Sequence, residues 1–316
     1  MTEQKVVRFG WRPVDPPRRP VLIINPRSGD GTPTRLGLAE RARDLGVDVV
    51  ILAHGDSCER LVRAAVESGA DALGMAGGDG SLAVVAAAAA AHGLPFICIP
   101  AGTRNHFALD LGVDRHDPLG ALDAFTDAVE RQIDVAEVNG LPFLNNVSLG
   151  IYGEAVSRVA YRDAKARTLV ATAQKVLAPH GQVPVLRLVD DAGREHDQPA
   201  VALVSNNPYS LGRPPIGTRP TLDSGRLGII VLDAPDRGPH PPARAWSAQY
   251  LDVLAAAPVH AGIDGEAVDL RPPLRFTIRP KALRVRISTR HPGVSPSASP
   301  QPVRPRPGKP SPPPKT

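Results

Sequence analysis

Cysteine is scarce in this sequence, and its scarcity excludes two kinds of protein. Only Cys58 and Cys98 occur among the 316 residues. A disulfide framework or a thiolate metal site needs more cysteines, so we expect neither, and we expect a reducing compartment. The 9 histidines lack the i, i+4 spacing of zinc enzymes, and no Gly-x-Ser-x-Gly motif is present. Nucleophilic catalysis is therefore not indicated.

Aromatic residues and long apolar runs are scarce as well. Aromatic side chains make up 4% of the sequence, and the net charge of +5 falls to +1 once the four basic residues after Arg290 are set aside. Nucleic-acid binding needs basic residues on a folded face beside stacking aromatics, so we predict no nucleic-acid partner. No apolar run reaches the ~18 residues that span a bilayer, and the N-terminus lacks the apolar core of a secretory signal. We therefore expect a soluble, cytoplasmic protein.

The first half of the sequence alternates apolar runs with helical segments. Continuous apolar runs such as Val21–Ile24 indicate strands buried on both faces, and segments with helical periodicity follow them. Right-handed crossovers would place the turns after Ile24, Ala76 and Ile99 at one edge of a parallel sheet, where open α/β sheets bind ligands. We assign this α/β domain to residues 20–134.

The second half of the sequence has a different pattern. Short alternating strands separated by turns predict a mainly antiparallel domain over residues 135–290, interrupted by helices near 153–177 and 243–254. Both ends of the chain are rich in proline, and we predict disorder for residues 1–19 and for the basic tail 291–316. This division places the site between the two domains.

The most informative motif is the glycine turn Gly77-Gly78-Asp79-Gly80-Ser81. It lies between an apolar run and an alanine-rich stretch, which indicates a strand, a turn and a helix. Glycines let the backbone approach a ligand closely, and the N-terminus of the following helix attracts phosphate. The Asp79 carboxylate would repel bare phosphate, which implies Mg²⁺, a ribose hydroxyl or a proton as its partner. A nucleotide with its metal satisfies both, although tight packing alone also explains such glycines.

Two further turns and one hairpin signal complete the pattern. The turns are Asn25-Pro26-Arg27-Ser28-Gly29 and the segment Pro100–Ala108, and the hairpin signal is Asp264-Gly265-Glu266. Together with the first glycine turn, and in this order, they resemble the diacylglycerol kinase catalytic-domain family over a stretch from Val21 to Ile287. By itself, the Asp-Gly pair would predict only a structural turn.

The resemblance implies both a fold and a reaction. The fold is an ATP-binding α/β domain like that of NAD kinases, followed by a β-sandwich domain, and the reaction is Mg²⁺-dependent phosphorylation of a lipid hydroxyl by ATP. Asp264 falls on the family's general base and Glu266 on its acidic neighbour. Asp79 and Asp223 fall on positions linked to the metal. The positions implied for the nucleotide are Asn25, Ser28, Gly29, Gly77, Gly78, Asp79, Gly80, Ser81, Gly102, Thr103 and Asn105, and those that line the cleft are Asn145, Gly150 and Asn206.

Three positions depart from the family pattern, and each lacks a carboxylate. Val84 stands for a glutamate in the helix after the glycine turn, His106 for an aspartate, and Ser224 for an aspartate of an Asp-Asp-Gly segment. Asp110, one helical turn after His106, is a candidate to replace the missing aspartate. Asp223, left with one carboxylate fewer beside it, should bind a hard cation more weakly. We expect an active kinase with a changed lipid substrate, ahead of a chain that binds nucleotide without turnover.

Other interpretations stay open. An NAD kinase-like phosphotransferase shares the glycine turn and the fold, and a nucleotide- or lipid-binding regulator would explain the missing carboxylates. The partner implied is a lipid substrate at a membrane surface, with peripheral contact at the inner face of the membrane, and a homodimer is also compatible with the sequence. The acceptor, diacylglycerol or another lipid alcohol, stays undecided. Trp246, Tyr250, Leu251 and Leu254 have helical spacing and could line an apolar opening for it, although a stripe of this kind is more often ordinary core.

Overall fold

A computed structural model describes the chain over residues 9–150, 185–197, 199–211, 217–233 and 243–298. The helix predicted near 153–177 lies outside these ranges. Among the residues that the structure describes, no helix is long and apolar enough to cross a bilayer.

The elements of the described ranges are numbered in chain order. The helices are α1 (Thr32–Arg35), α2 (Leu38–Asp44), α3 (Cys58–Glu67), α4 (Asp79–Ala91), α5 (His106–Leu111) and α6 (Pro118–Ala121), with a 3-10 helix at Leu122–Phe125. The strands are β1 (Arg12–Val14), β2 (Pro20–Ile24), β3 (Asp48–Ile51), β4 (Ala72–Gly77), β5 (Pro95–Pro100), β6 (Ala128–Val138), β7 (Leu141–Phe143), β8 (Asn146–Gly150), β9 (Arg187–Asp190), β10 (Glu195–Asp197), β11 (Pro199–Asn206), β12 (Leu227–Asp233), β13 (Ala243–Ala248), β14 (Tyr250–Leu254), β15 (Val259–Ile263), β16 (Glu266–Leu270) and β17 (Leu274–Ser288).

Strands β2 to β5 form the parallel part of a large sheet, in the spatial order β5-β4-β2-β3. Every residue of β2, β4 and β5 is buried, as continuous apolar runs predict for strands covered on both faces. Helix α4 packs on β4 and β5 and buries Leu82, Val85, Ala86 and Ala89. The predicted α/β arrangement is confirmed.

The large sheet continues into an antiparallel part through β17. The second half of β17 runs parallel to β5, its first half pairs antiparallel with β14, and β6 runs antiparallel along both halves. The register breaks between Arg279 and Leu283, where Lys281 has a φ of 53°. One strand therefore belongs to both halves of the molecule.

A second sheet is antiparallel throughout the described residues, with the order β13-β12-β11-β8-β15-β16. Its apolar residues, among them Val147, Val204 and Ile229, form one core with residues of the antiparallel part of the large sheet, such as Leu251 and Phe276. The two sheets make a β-sandwich, as the resemblance implied.

The prediction of a helix near residues 243–254 is wrong. The segment forms β13 and β14, and within β14 the residues Leu251 and Val253 are buried while Tyr250 is 40% exposed. This alternation is the period of a strand, in which neighbours point to opposite faces. Because Leu251 and Tyr250 lie on different faces, the apolar opening predicted along a helix with Trp246 is wrong as well.

The described parts of the two terminal segments are ordered, although disorder is predicted for residues 1–19 and 291–316. Strand β1 pairs with β6, and Trp11 is 2% exposed. The Trp11 indole Nε1 donates to the Gly293 carbonyl at 2.6 Å, which ties the start of the segment 291–316 to the N-terminal segment. Composition did not show this order because each end finds its partner far along the chain. The boundary predicted after residue 134 falls inside β6, which serves both halves.

Candidate active site

The turns that follow β2, β4 and β5 meet at one edge of the parallel sheet, as right-handed crossovers predict. A Cβ on Gly102 would come within 2.4 Å of the Gly78 Cα. A Cβ on Gly29 would come within 2.5 Å of the Ala101 carbonyl oxygen, and Gly29 also has a φ of 54°. Only glycine fits at Gly29 and Gly102, so both residues serve the contact between the turns.

Polar groups of the first turn link it to α4. The Asn25 Nδ2 donates to the Ser81 hydroxyl at 3.5 Å, and the Asn25 Oδ1 accepts the Arg27 backbone N–H at 3.1 Å. The Ser28 backbone N–H closes the turn on the Asn25 carbonyl at 3.1 Å. The structure therefore brings Asn25, Ser28 and Ser81 together beside the first turn of α4.

The third turn is shaped by Asn105. This residue is the N-cap of α5, with a φ of 54°, and it is 4% exposed. Its Oδ1 accepts the Gly102 N–H at 2.9 Å, and its Nδ2 donates to the Gly102 carbonyl at 2.8 Å. Asn105 thus holds the turn in shape, while Thr103 is exposed within it.

The Asp79 carboxylate joins two of the turns. Asp79 is the first residue of α4, and its carboxylate oxygens accept the backbone N–H groups of His106 at 3.2 Å and Phe107 at 3.1 Å. Asp79 therefore caps the N-terminus of α5. Each carboxylate oxygen keeps a further lone pair for a ligand. The N-cap of α4 is Gly78, which follows the last residue of β4, Gly77. Because glycine has no side chain to cap the helix, the first N–H groups of α4 are suited to bind an anion.

Asp264 occupies the two-residue turn between β15 and β16. Asp264 and Gly265 have φ values of 48° and 96°, as a type I′ hairpin turn requires. The Asp264 carboxylate accepts the backbone N–H groups of Leu144 at 2.8 Å, Asn145 at 2.7 Å and Asn146 at 3.0 Å. The segment before β8 therefore holds this carboxylate in place.

Burial raises the pKa of the Asp264 carboxyl to about 6. The three N–H groups favour the charged carboxylate and limit the rise, and the negative charge of Asp79 adds to it. The residue as a whole is partly exposed, whereas its carboxylate is enclosed by residues 144–146. A carboxylate with this pKa is largely ionised at pH 7 and is suited to accept a proton.

Glu266 brings the hairpin to the glycine turn. It is the first residue of β16 and pairs with Ile263 across the hairpin. A Cβ on Gly80 would come within 3.1 Å of the Glu266 Oε1, so this carboxylate lies against the first turn of α4, where the helix dipole favours negative charge. The structure gathers Asp79, Asp264 and Glu266 where the edge of the first sheet meets a hairpin of the second.

Asp223 has a different environment from the one that the resemblance implied. Its carboxylate contacts the Arg131 Nη2 at 2.7 Å and accepts the Thr221 hydroxyl. Burial opposes the charged form, but hydrogen bonds from Arg131 and Thr221 hold the pKa of Asp223 below its ordinary value. Because the guanidinium already neutralises this carboxylate, the arrangement does not support a metal at Asp223. The neighbouring Ser224 hydroxyl donates to the Asn207 Oδ1 at 2.6 Å.

Asp110 does not replace the missing aspartate at position 106. It is 6% exposed, and its carboxylate oxygens accept the Arg219 backbone N–H at 2.9 Å and the Arg219 Nε at 2.7 Å. A carboxylate that is buried and paired in this way cannot serve a metal or a ribose hydroxyl. The suggestion that Asp110 compensates for His106 is therefore wrong.

Arg219 and Tyr209 are two residues of this region to which sequence reasoning gave no role. Arg219 is fully buried, and its guanidinium donates to the Leu144 carbonyl, to the Asn206 carbonyl at 2.8 Å and to the Asn145 Oδ1 at 2.9 Å. The Tyr209 ring lies 5.9 Å from the guanidinium carbon. The side-chain partners of Arg219 are 74 and 109 residues away in sequence, so no local pattern marks it.

A divalent metal fits the Asp79 end of this site only together with a ligand. Mg²⁺ is usually bound by one or two carboxylates, phosphate oxygens and water. Within the described ranges, no group of three or more His, Cys, Asp or Glu residues could hold a metal. The Asp79 carboxylate would therefore share the ion with a phosphate.

Known proteins match this chain along most of its length. Residues 19–138 match the family model described as "Diacylglycerol kinase catalytic domain". A protein of Pseudomonas aeruginosa (strain PAO1), named "Probable lipid kinase YegS-like", is 30% identical over 298 residues, which cover 84% of this chain and 93% of that protein. A protein of Mycobacterium tuberculosis (strain CDC 1551 / Oshkosh), named "Diacylglycerol kinase", is 34% identical over 120 residues, 37% of this chain and 39% of that protein.

Solved structures share the fold. A crystal structure described as a diacylglycerol kinase from Bacillus anthracis str. Sterne has a TM-score of 0.60 at 17% identity and covers 87% of this chain and 98% of that one. A second structure from the same organism has a TM-score of 0.65 at 19% identity, with coverage of 87% and 99%. Both support the α/β half and the sandwich half together.

The family match and the relatives place this chain among the phosphotransferases. The chain belongs to the diacylglycerol kinase catalytic-domain family of lipid kinases, whose kinases use ATP.

Proposed function

We propose that this chain transfers the γ-phosphoryl group of ATP to the hydroxyl of diacylglycerol or a related lipid, with Mg²⁺, at a membrane surface. The observation that carries the proposal is the Asp264 carboxylate, which three backbone N–H groups hold beside Asp79 and the glycine turns. Phosphoryl transfer asks little of the protein beyond positioning, charge neutralisation and a residue that orients the nucleophile.

Each acidic residue has its own role in this proposal. Asp264 accepts the proton of the attacking hydroxyl, and its pKa of about 6 lies close to a working pH near 7. Asp79 orients α5 through its cap and offers its remaining lone pairs to Mg²⁺, which neutralises phosphate charge when bound. The N–H groups at the start of α4 bind phosphate, and Glu266 closes the site from the second sheet.

The test is transfer of labelled γ-phosphate from ATP to a panel of lipids in mixed micelles with Mg²⁺, with NAD assayed in parallel. We expect label on one lipid, and its loss in Asp264→Asn. The matched control is Asp269→Asn, because Asp269 is an exposed carboxylate on the same hairpin, paired only with the exposed His260 among the described residues. The control variant should keep its activity.

Two other results would contradict the proposal. Label on NAD instead of a lipid would make the chain an NAD kinase-like phosphotransferase. Binding of ATP without transfer to any acceptor would make it a nucleotide-binding regulator.

A further inference from the structure

A buried arginine lies behind the segment that holds Asp264. The Arg219 guanidinium donates to the Leu144 carbonyl and, at 2.9 Å, to the Asn145 Oδ1. The backbone N–H groups of the same two residues donate to the Asp264 carboxylate at 2.8 and 2.7 Å. Leu144 and Asn145 are therefore held on both sides. Arg219 binds the Leu144 carbonyl and the Asn145 side-chain oxygen, and the Asp264 carboxylate binds the backbone N–H groups of both residues.

The other side of Arg219 leads to the nucleotide half. Its Nε and its backbone N–H bind the carboxylate of Asp110, which lies on α5. The first N–H groups of α5 in turn bind Asp79. A continuous series of hydrogen bonds thus runs from Asp79 through α5, the Asp110–Arg219 pair and residues 144–146 to Asp264.

An arginine is the residue that this position requires. The Arg219 side chain is 0% exposed and that of Asp110 is 3% exposed, so each charge depends on the other for compensation. The planar guanidinium makes four hydrogen bonds in fixed directions. A lysine would keep the charge but would lose the fork that reaches Leu144, Asn145 and Asp110 at once.

We propose that Arg219, held by Asp110, is a positioning residue that locks residues 144–146 around the Asp264 carboxylate. The lock couples the helix that Asp79 caps to the hairpin that carries the base. Its effect on turnover rests on the function proposed above, whereas the lock itself is measurable without turnover.

The direct test is amide hydrogen exchange of the full-length chain without substrates. We expect the amides of residues 144–146 to exchange about tenfold faster in Arg219→Met than in the unchanged chain, with Arg219→Lys in between. The control is Arg286→Met, which removes a largely buried arginine of the ion pair with Glu130 and should leave these amides unchanged. Unchanged exchange in a folded Arg219→Met chain would overturn the proposal. If that variant does not fold, Asp110→Asn, which keeps the volume of the side chain, decides in the same way.

A second measurement separates positioning from general damage. The charged and titratable groups that act on Asp264 are Asp79, Arg219 and Tyr209. Asp110 lies behind Arg219, and Glu266 follows two residues later in the same hairpin. A nearby positive charge favours a carboxylate. Arg219→Met removes this charge and also loosens the N–H groups of residues 144–146 that favour the charged carboxylate, so it should move the acid limb of kcat/KM to higher pH. Arg219→Lys, which keeps the charge, should move the limb less. An acid limb that stays in place in a folded, active Arg219→Met chain would contradict the electrostatic part of the lock.

The two proposals fail separately. If the unchanged chain transfers no phosphate while exchange responds as expected, the lock stands and the proposed function fails. If the chain is an active kinase and exchange at residues 144–146 ignores Arg219, the function stands and the lock fails.

Discussion

At the scale of single residues, the chemistry of Asp264 is set by its surroundings. Because burial raises its pKa to about 6, the carboxyl is ionised at pH 7 and becomes protonated as the pH falls through 6, and this change matters for activity if Asp264 is the proposed base. We predict that kcat/KM is nearly constant above pH 7 and falls about tenfold per unit below pH 6. The measurement is a pH profile with saturating Mg²⁺ and ATP. An acid limb below pH 5 would contradict the role of a buried carboxylate.

Gly102 makes a second prediction at this scale. Its Cβ would come within 2.4 Å of the Gly78 Cα, whereas a Cβ on Gly78 would find its nearest neighbour, the Gly102 Cα, at 3.6 Å. We expect Gly102→Ala to destabilise the fold by ~1–3 kcal/mol through overpacking, and Gly78→Ala to cost much less. Denaturant unfolding of both variants measures the difference. Equal losses would show that the two turns are not in the close contact described.

At the scale of elements, Asp79 has a structural role, because it caps α5, and a proposed role in the reaction, and the two can be measured separately. Removing a side chain that accepts the first N–H groups of a helix costs ~1 kcal/mol, so Asp79→Ala should lose about that much stability and also its activity. Ser57→Ala is the matched control, because the Ser57 hydroxyl caps α3 by accepting the Arg60 N–H at 3.3 Å. We expect the control to lose similar stability and to keep its activity. Thermal unfolding and the phosphotransfer assay check both variants. An active Asp79→Ala variant would show that the reaction does not need the Asp79 carboxylate.

The sequence predicts some elements well and others poorly, for physical reasons. Buried parallel strands such as β2 and β4 are continuous apolar runs between glycine turns, so their existence and order can be inferred. The prediction of a helix over residues 243–254 is wrong because alanines and helical spacing compete with the strand alternation of Leu251 and Val253.

The candidate site divides in the same way. The glycine turns and the hairpin aspartate have local signals, and the structure places them together. Arg219 pairs with an aspartate 109 residues away. Asp223 pairs with Arg131 of β6, a strand far from it in the sequence. Long-range pairs of this kind leave no periodicity or motif behind.

At the scale of the whole molecule, β17 predicts a single unfolding transition. Leu283 and Val285 belong to the core of the α/β half, while Leu274 and Phe276 of the same strand belong to the core of the sandwich. Each half also has one tryptophan, since Trp11 packs in the first core and Trp246 against the second. We expect Trp11→Phe and Trp246→Phe, each followed by the fluorescence of the remaining tryptophan, to unfold at the same denaturant midpoint. Separate midpoints would mean that the halves unfold independently.

The two ends of the described chain are joined to each other and to the α/β half. Trp11 binds the Gly293 carbonyl, and the Gly293 N–H binds the Gly112 carbonyl at 3.0 Å, directly after α5. Truncating the protein before β2, or after β17, therefore removes hydrogen bonds that hold the end of α5. This is the helix whose first N–H groups bind Asp79 and which carries Asp110. A trimmed chain would be a poor reference for the whole protein, because the removed segments help to hold the sheet edge at which the glycine turns meet.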